Sequence, residues 1–373
     1  MKKEKRPSKY EYWFAGLAFL TGRKKIRLKS IFPDAEEIYR MGQARLSQIP
    51  WLTKREAQLL LEAGTIPEGK LEEEEGYCIE NGIHLALWRG EGYPKRLVHI
   101  DNPPYGLFYQ GELPKEGDLA VAIVGARECS AYGRQVAGQA GFCLAKQGVA
   151  VISGMASGID GAGHRGALQA KGGTYGVLGC GVDVCYPAVN RELYGEVRRA
   201  GGIVSEYPPH MQPRAMFFPQ RNRIISGMSD AVVVVEARKK SGALITADFA
   251  LEQGREVYAA PGRIGDALSQ GANRLIRQGA GIFLSPEDFL EELGFFVNSA
   301  GASAQKQKLS LEKSERLVYS CLDLSPKNLD ELMAETGLSF PELMENLESL
   351  RGKGCILEVY KNYYIRTEVS GLA

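Results

Sequence analysis

Residues 119–127 read LAVAIVGAR, an apolar run that ends in a glycine and an arginine. A run with no polar interruption asks for burial on both sides, the environment of a central strand in a parallel sheet. Four further short apolar runs follow at 149–152, 174–178, 231–235 and 257–259, with stretches of helical character between them. Strands alternating with helices predict an α/β fold, a doubly wound parallel sheet across residues 119–293. Its binding crevice falls at the carboxyl ends of the strands. Glycines collect at those ends: Gly125 after the first strand, Gly154 and Gly158 after the second, Gly179 and Gly181 after the third.

Outward from this centre, residues 10–63 carry a helical, glycine-interrupted pattern with Trp13, Leu17, Leu20, Ile38 and Met41 as apolar markers. A small helical domain is expected over 1–68, followed by the α/β domain over 69–297. The acidic run Glu72, Glu73, Glu74, Glu75 reads as a solvated linker near their junction. Residues 298–308 are small and polar and read as a flexible linker. Beyond it, 309–373 fits a winged helix: helices over 309–322, 328–336 and 340–351, then a two-stranded wing turning at Lys361 and Asn362. A chain of 373 residues accommodates these several units.

The formal net charge of +1 gives no global attraction to a polyanion, so any nucleic-acid site must be a local cluster of cations. The seven cysteines form no disulfide or zinc framework; Cys180 and Cys185 are too far apart for C-x-x-C. A reducing compartment follows, and no metal is expected. The basic start (Lys2, Lys3, Lys5, Arg6) leads into no signal-type apolar run, and no stretch reaches membrane-spanning length, so a cytoplasmic protein without a membrane span is expected.

The loop Val124-Gly125-Ala126-Arg127 lacks the second and third glycines of G-x-G-x-x-G, so a nicotinamide cofactor is not expected. It leaves a tight turn carrying Arg127, placed to face a phosphate or simply to sit at a helix start. The second loop, SGMASGID over 153–160, brings small residues, Ser153 and Gly154 among them, to where a chain or ligand approaches the backbone. Neither Ser153 nor Ser157 sits in G-x-S-x-G. Asp160 and His164, four apart on one helical face, read as a structural pair rather than a catalytic one.

The densest signal is RAMFFPQRNRII over 214–225, which joins Arg214, Arg221, Asn222 and Arg223 to Phe217 and Phe218 in one loop ahead of an element starting at Ile224. Single-stranded nucleic acid offers phosphates to arginines and unstacked base faces to aromatics, and this segment carries both residue types. The bland alternative puts the rings in the core and the arginines in ion pairs. Ser241 and Gly242 open a further helix that includes Thr246, and Gly271 precedes Asn273 in another; both leave helix-start N–H groups for anionic oxygens.

In order and spacing, IVGAR at 123–127, SGMASGID at 153–160, FPQRNRII at 218–225, SGALITA at 241–247, Pro261-Gly262 and GANRLI at 271–276 resemble the DprA (Smf) family of DNA-processing proteins. The resemblance implies an extended Rossmann-like domain, flanked by an N-terminal SAM-like or helix-hairpin-helix-like domain and a C-terminal winged helix. It implies a non-enzymatic protein that binds single-stranded DNA, protects it during natural transformation and loads the RecA recombinase, with no cofactor. By position it assigns Arg127, Phe218, Arg221 and Arg223 to DNA, with Phe218 stacked on a base and Arg214 a looser match. Gly125, Ala126, Ser153, Gly154, Asn222, Ser241, Gly242, Thr246 and Asn273 complete the expected site. A homodimer is implied as well; Ile282, Phe283, Phe289, Leu290 and Leu293 are candidates for its face or for the core.

Two other functions compete. One is a nucleotide-processing hydrolase of the lysine-decarboxylase-like Rossmann family, whose P-G-G-x-G-T segment is absent here. The other is a transcription regulator that reads duplex DNA through the winged helix. The second winged-helix helix carries Glu342, Glu345 and Glu348, and carboxylates facing phosphates oppose binding.

Overall fold

A computed structural model describes residues 6–295, 311–323 and 326–366. Its contacts define two compact units, one drawn from Met1–Cys129 and Gly133–Leu290, the other from Ser130–Tyr132 and Glu291–Ala373.

The first unit opens with six helices: α1 (Lys9–Gly16), α2 (Gly22–Ile31), α3 (Ala35–Tyr39), α4 (Gln43–Leu46), α5 (Lys54–Ala63) and α6 (Glu68–Glu80). Short polar residues fix several starts: Thr21 and Asp34 accept N–H bonds from the first turn, and Thr53 forms a reciprocal capping box with Glu56. The acidic run expected as a linker lies inside α6. Leu71 and Cys78, two turns apart, are buried on its inner face, while Lys9 donates to Glu68 and Glu72. Four glutamates in a row hid the stripe, because only those two residues mark its apolar side.

The sheet follows: β1 (His84–Leu87), α7 (Lys95–Val98), β2 (Gly106–Gly111), β3 (Ala120–Val124), α8 (Ala131–Lys146), β4 (Ala150–Ser153), α9 (Ile159–Gln169), β5 (Thr174–Leu178), α10 (Arg191–Ala200), β6 (Gly202–Ser205), α11 (Phe217–Gly227), β7 (Ala231–Val234), α12 (Gly242–Glu252), β8 (Glu256–Ala259), α13 (Gln270–Arg277), β9 (Gly281–Ile282) and α14 (Pro286–Glu292). Its nine strands run in the order β1-β2-β6-β5-β4-β3-β7-β8-β9, parallel from β6 to β9, with β1 and β2 antiparallel at one edge. The chain winds outward from β3 to β6, then returns through α11 to β7 on the other side of β3. The carboxyl ends of β3 and β7 therefore flank the topological switch point.

Every residue of β3 to β7 is buried, as the uninterrupted apolar runs require. On one face Ala122, Val124, Val232 and Val234 pack with Ile224 of α11. On the other, Phe108 and Ile203 share a core with Val197 of α10 and with Phe14 and Leu28 of the helical segment. Within the described residues, 6–68 belongs to the same contact unit and shares a core with the sheet. A Cβ on Gly22 would overlap the carbonyl of Pro103, so the approach of α2 requires glycine.

The apolar stripe after β9 is core rather than dimer face at three of its five positions. Phe283, Phe289 and Leu290 are buried, and Phe289 makes ring contacts with Tyr258 at 4.7 Å and Phe283 at 5.4 Å. Ile282 is exposed and Leu293 half-buried.

The second unit contains α15 (Lys313–Cys321), β10 (Lys327–Asn328), α16 (Leu329–Thr336), α17 (Phe340–Gly352), β11 (Ile356–Tyr360) and β12 (Tyr363–Arg366). The strands pair antiparallel as β10-β12-β11, around a core that includes Val318, Leu332, Leu343, Leu347 and Ile356. This is a winged helix. Gly337 ends α16 at φ 69°, and Asn362 turns the wing at φ 63°, both in the left-handed region. The expected linker 298–308 lies outside the described residues. Among those described, no helix is long and apolar enough to cross a membrane.

Candidate nucleic-acid interface

A trough of about 770 Å³ opens at the switch point. The turn after β3 contributes Gly125, Ala126 and Arg127, α11 contributes Phe218, Arg221 and Asn222, and the start of α12 contributes Ser241, Gly242 and Thr246. Tyr186, from the loop after β5, and Arg238 and Lys240, from the loop after β7, complete much of its wall.

The aromatic and basic segment expected as a loop is helical, with α11 beginning at Phe217. Pro219 is tolerated because it lies in the first turn, where its N–H would have no partner. Helical periodicity then sorts the segment: Phe218, Arg221, Asn222 and Ile225, at i, i+3, i+4 and i+7, all line the trough. Phe217 and Arg223 turn away. Phe217 is buried and stacks on Tyr207 at 4.2 Å, while Arg223 is buried in an ion pair with Glu206 and does not reach the trough. Arg214 is exposed, 5.8 Å from the Phe217 ring, between the wall residues Pro213 and Ala215.

Arg221 is almost wholly buried. Its Nη1 donates to the carbonyls of Gly154, at 2.6 Å, and Val177, and its Nε donates to Asn222 at 3.2 Å. Asn222 in turn donates to the Gly242 carbonyl at 3.1 Å, tying α11 to the start of α12. Arg221 therefore ties the loop after β4 to β5 and, through Asn222, to the start of α12 at the trough floor. The N–H groups of Gly154 and Ala156 donate to the buried Asp160 carboxylate at 3.2 and 3.4 Å, so an internal anion already occupies this glycine loop. Burial pushes the Asp160 carboxyl above its usual range, and the charge of Arg221 pulls it back down.

Asp160 and His164 do not pair. His164 Nδ1 lies 2.7 Å from Thr174 Oγ1, whose hydrogen goes to the Val151 carbonyl, so Nδ1 is the donor. Nε2 is buried without a partner among the described residues, and burial drives the imidazole pKa down to about 3. Ser153 and Asn273 are also internal: Ser153 donates to the Ile123 carbonyl at 2.5 Å, and Asn273 exchanges hydrogen bonds with the Gly262 backbone at 3.1 and 2.9 Å. These two residues, with Gly154 and Arg223, hold the loops instead of facing the trough.

The exposed cations that line the trough are Arg127, Arg238 and Lys240, none in an ion pair among the described residues, and the exposed Glu128 lines it with them. The Arg127 guanidinium lies 5.3 Å from the centroid of Phe218, which also stacks on Tyr186 at 5.6 Å and 28°. Sequence reasoning missed Arg238, Lys240 and Tyr186. The first two stood in plain view as the triplet Arg238-Lys239-Lys240 ahead of Ser241; Tyr186 carried no local signal. Among the described residues no cluster of His, Cys, Asp and Glu forms a metal-binding group.

A family profile described as DNA recombination-mediator protein A matches residues 84–294. The chain is 38% identical over 322 residues to protein Smf of Escherichia coli K12, covering 84% of each. The structure of DNA processing protein A from Streptococcus pneumoniae superposes with a TM-score of 0.67 at 32% identity, covering 77% of this chain and 99% of that one. Its Helicobacter pylori counterpart, described for its single-stranded DNA binding mode, superposes with a TM-score of 0.51 at 28% identity over 57% of this chain and 95% of the other.

Proposed function

The chain belongs to the DNA recombination-mediator protein A family of DNA-processing proteins, and we propose that its trough holds single-stranded DNA. One observation carries this reading: three exposed cations and two aromatic rings share one trough at the switch point. Cations supply affinity for phosphates, and rings supply a sequence-tolerant grip on unpaired bases. The single-strand binding of the Helicobacter pylori relative supports the same ligand. Duplex DNA suits the trough less well, because its bases are already stacked and paired.

The finer role rests on the family resemblance: the protein shields incoming single strands in the cytoplasm during natural transformation and loads RecA onto them, acting as a homodimer without turnover. A hydrolase reading loses support because Asp160 and His164 are bound to different internal partners. A regulator reading loses support because Glu342, Glu345 and Glu348 are exposed on α17.

Titration of a fluorescent oligothymidine and a matched duplex across a salt series tests the proposal. The single strand should bind more tightly, with affinity falling as salt rises; equal affinity for both forms would overturn it. Faster RecA filament growth on the strand would support the loading role, and an unchanged rate would remove it.

A further inference from the structure

Resting on the single-strand reading, we infer that the bound strand does not end at the trough: its phosphate backbone continues along the groove between α9 and α10, over Arg165, Lys171 and Arg199. Both helices start beside the trough. Ile159, the first residue of α9, lies between the wall residues Ala156 and Asp160, and α10 begins at Arg191, shortly after the wall residue Tyr186. As crossovers between parallel strands, both then run back toward the amino ends of those strands, packed on β4 and β5. A second groove, of about 650 Å³, opens along their far halves and is lined by Arg165, Lys171, Glu196 and Arg199 among others.

The three cations are exposed, and none is in an ion pair among the described residues; Glu196, half-buried, is the carboxylate that lines the groove with them. The Arg165 guanidinium reaches back toward the trough, since a Cβ on Gly161, one turn nearer to it, would lie 3.2 Å from Nη1. Arg191, exposed with Glu192 beside it, opens α10 on the trough side. The 11 residues of α9 span about 16 Å, enough for more than one phosphate of an extended strand. Among the described residues no large apolar side chain of α9 or α10 is exposed, so the groove offers neither a ring for a base nor an apolar centre for a protein partner. Phosphate contact is the chemistry left to it.

The fold does not ask for these cations. Arg165 sits in the middle of α9, away from the helix end where a positive charge is stabilising. Lys171 follows α9 at φ 58°, the left-handed conformation that glycine ordinarily supplies at a helix end. The backbone holds that end by itself: the Lys171 N–H donates to the Leu168 carbonyl at 2.9 Å and the Gly172 N–H to the Ala167 carbonyl at 3.1 Å.

The test titrates the full chain with oligothymidines lengthened one nucleotide at a time from the shortest that binds. Wild-type affinity should keep rising after the trough is filled. The triple variant Arg165→Ala, Lys171→Gly, Arg199→Ala should bind the shortest strands as the wild type does and lose the later rise, roughly tenfold for long strands. Its slope of log affinity against log salt on long strands should be shallower by about 2, for three contacts at about 0.7 each. Building the added length from abasic nucleotides should preserve the wild-type gain; a gain that needs bases would overturn phosphate contact. Lys171→Gly alone should melt no lower than the wild type, because glycine suits its backbone, yet bind long strands more weakly, which separates lost contact from lost folding. If the triple variant melts as the wild type does and binds long strands equally well, the groove is off the strand's path and the single-strand reading survives. If the wild type binds no oligothymidine, both fall.

Discussion

Replacing Arg221 with methionine should cost stability first and DNA affinity second. Arg221 and Asp160 are both buried at the trough floor with no direct ion pair between them, so Arg221 acts on Asp160 through space, and removing a buried donor costs about 1 to 3 kcal/mol. The carbonyls of Gly154 and Val177 also lose their donor. Within a typical total of about 5 to 15 kcal/mol this is a substantial loss, worth roughly 2 to 5 °C in Tm for a unit of this size. The deficit should depend on pH. Burial holds the folded-state pKa of Asp160 above its unfolded value, and loss of the Arg221 charge raises it further. A raised carboxyl penalises the fold when ionised; the penalty is complete above the folded pKa and disappears as pH falls below the unfolded one. Urea denaturation should therefore show a larger gap between Arg221→Met and wild type at pH 7 than at pH 5. Asp160→Asn in the variant background should recover part of the gap at pH 7, since the amide oxygen still accepts from Gly154 and Ala156. A gap that is the same at both pH values and indifferent to Asp160→Asn would refute the claim that Arg221 neutralises Asp160.

Arg127→Ala should lower single-strand affinity for all sequences and reduce the slope of log affinity against log salt by about 0.7, as for one lost phosphate contact; filter binding across a salt series reads both. His164, with a folded pKa of about 3 against 6.5 unfolded, contributes stability that is present above pH 6.5 and lost as pH falls toward 3. His164→Gln should remove that component, about 1.4 kcal/mol per pH unit, from the denaturation free energy between pH 6 and pH 4. Glu345→Lys with Glu348→Lys should raise duplex affinity of the full chain, because both carboxylates are exposed on α17; no change in a gel shift would place the duplex-facing surface elsewhere.

What the sequence disclosed depended on whether a residue's role follows from its neighbours in the chain. Runs such as residues 231–235 announce central strands because burial on both faces leaves no room for a polar residue. The switch-point crevice then follows from strand and helix alternation, which is why Gly125, Arg127, Phe218 and Gly242 were legible together. Arg221 and Arg223 were not separable in the same way. Two positions apart in a presumed loop they looked equivalent; on a helix they lie about 200° apart, one at the trough floor and one in the pair with Glu206. Tyr186 was invisible for a different reason: its loop has no periodicity, and its neighbour Phe218 lies 32 positions further along the chain. The anion seated on the 153–160 loop was equally hidden, because glycines that suit a phosphate also suit a carboxylate from the same chain.

A near-neutral chain can still present a polyanion site if it cancels its other charges in place. Lys24 is paired with Glu56, Lys29 with Glu11, Arg96 with Asp230 and Arg223 with Glu206. Arg127, Arg238 and Lys240 have no such pairing among the described residues, and they meet at one crevice. The net charge of +1 therefore does not describe the trough, where two loops bring three exposed cations beside one exposed carboxylate, Glu128. The buried Arg221 instead ties the loop after β4 to β5 and, through Asn222, to the start of α12. Affinity and architecture are thus assigned to different arginines of the same trough.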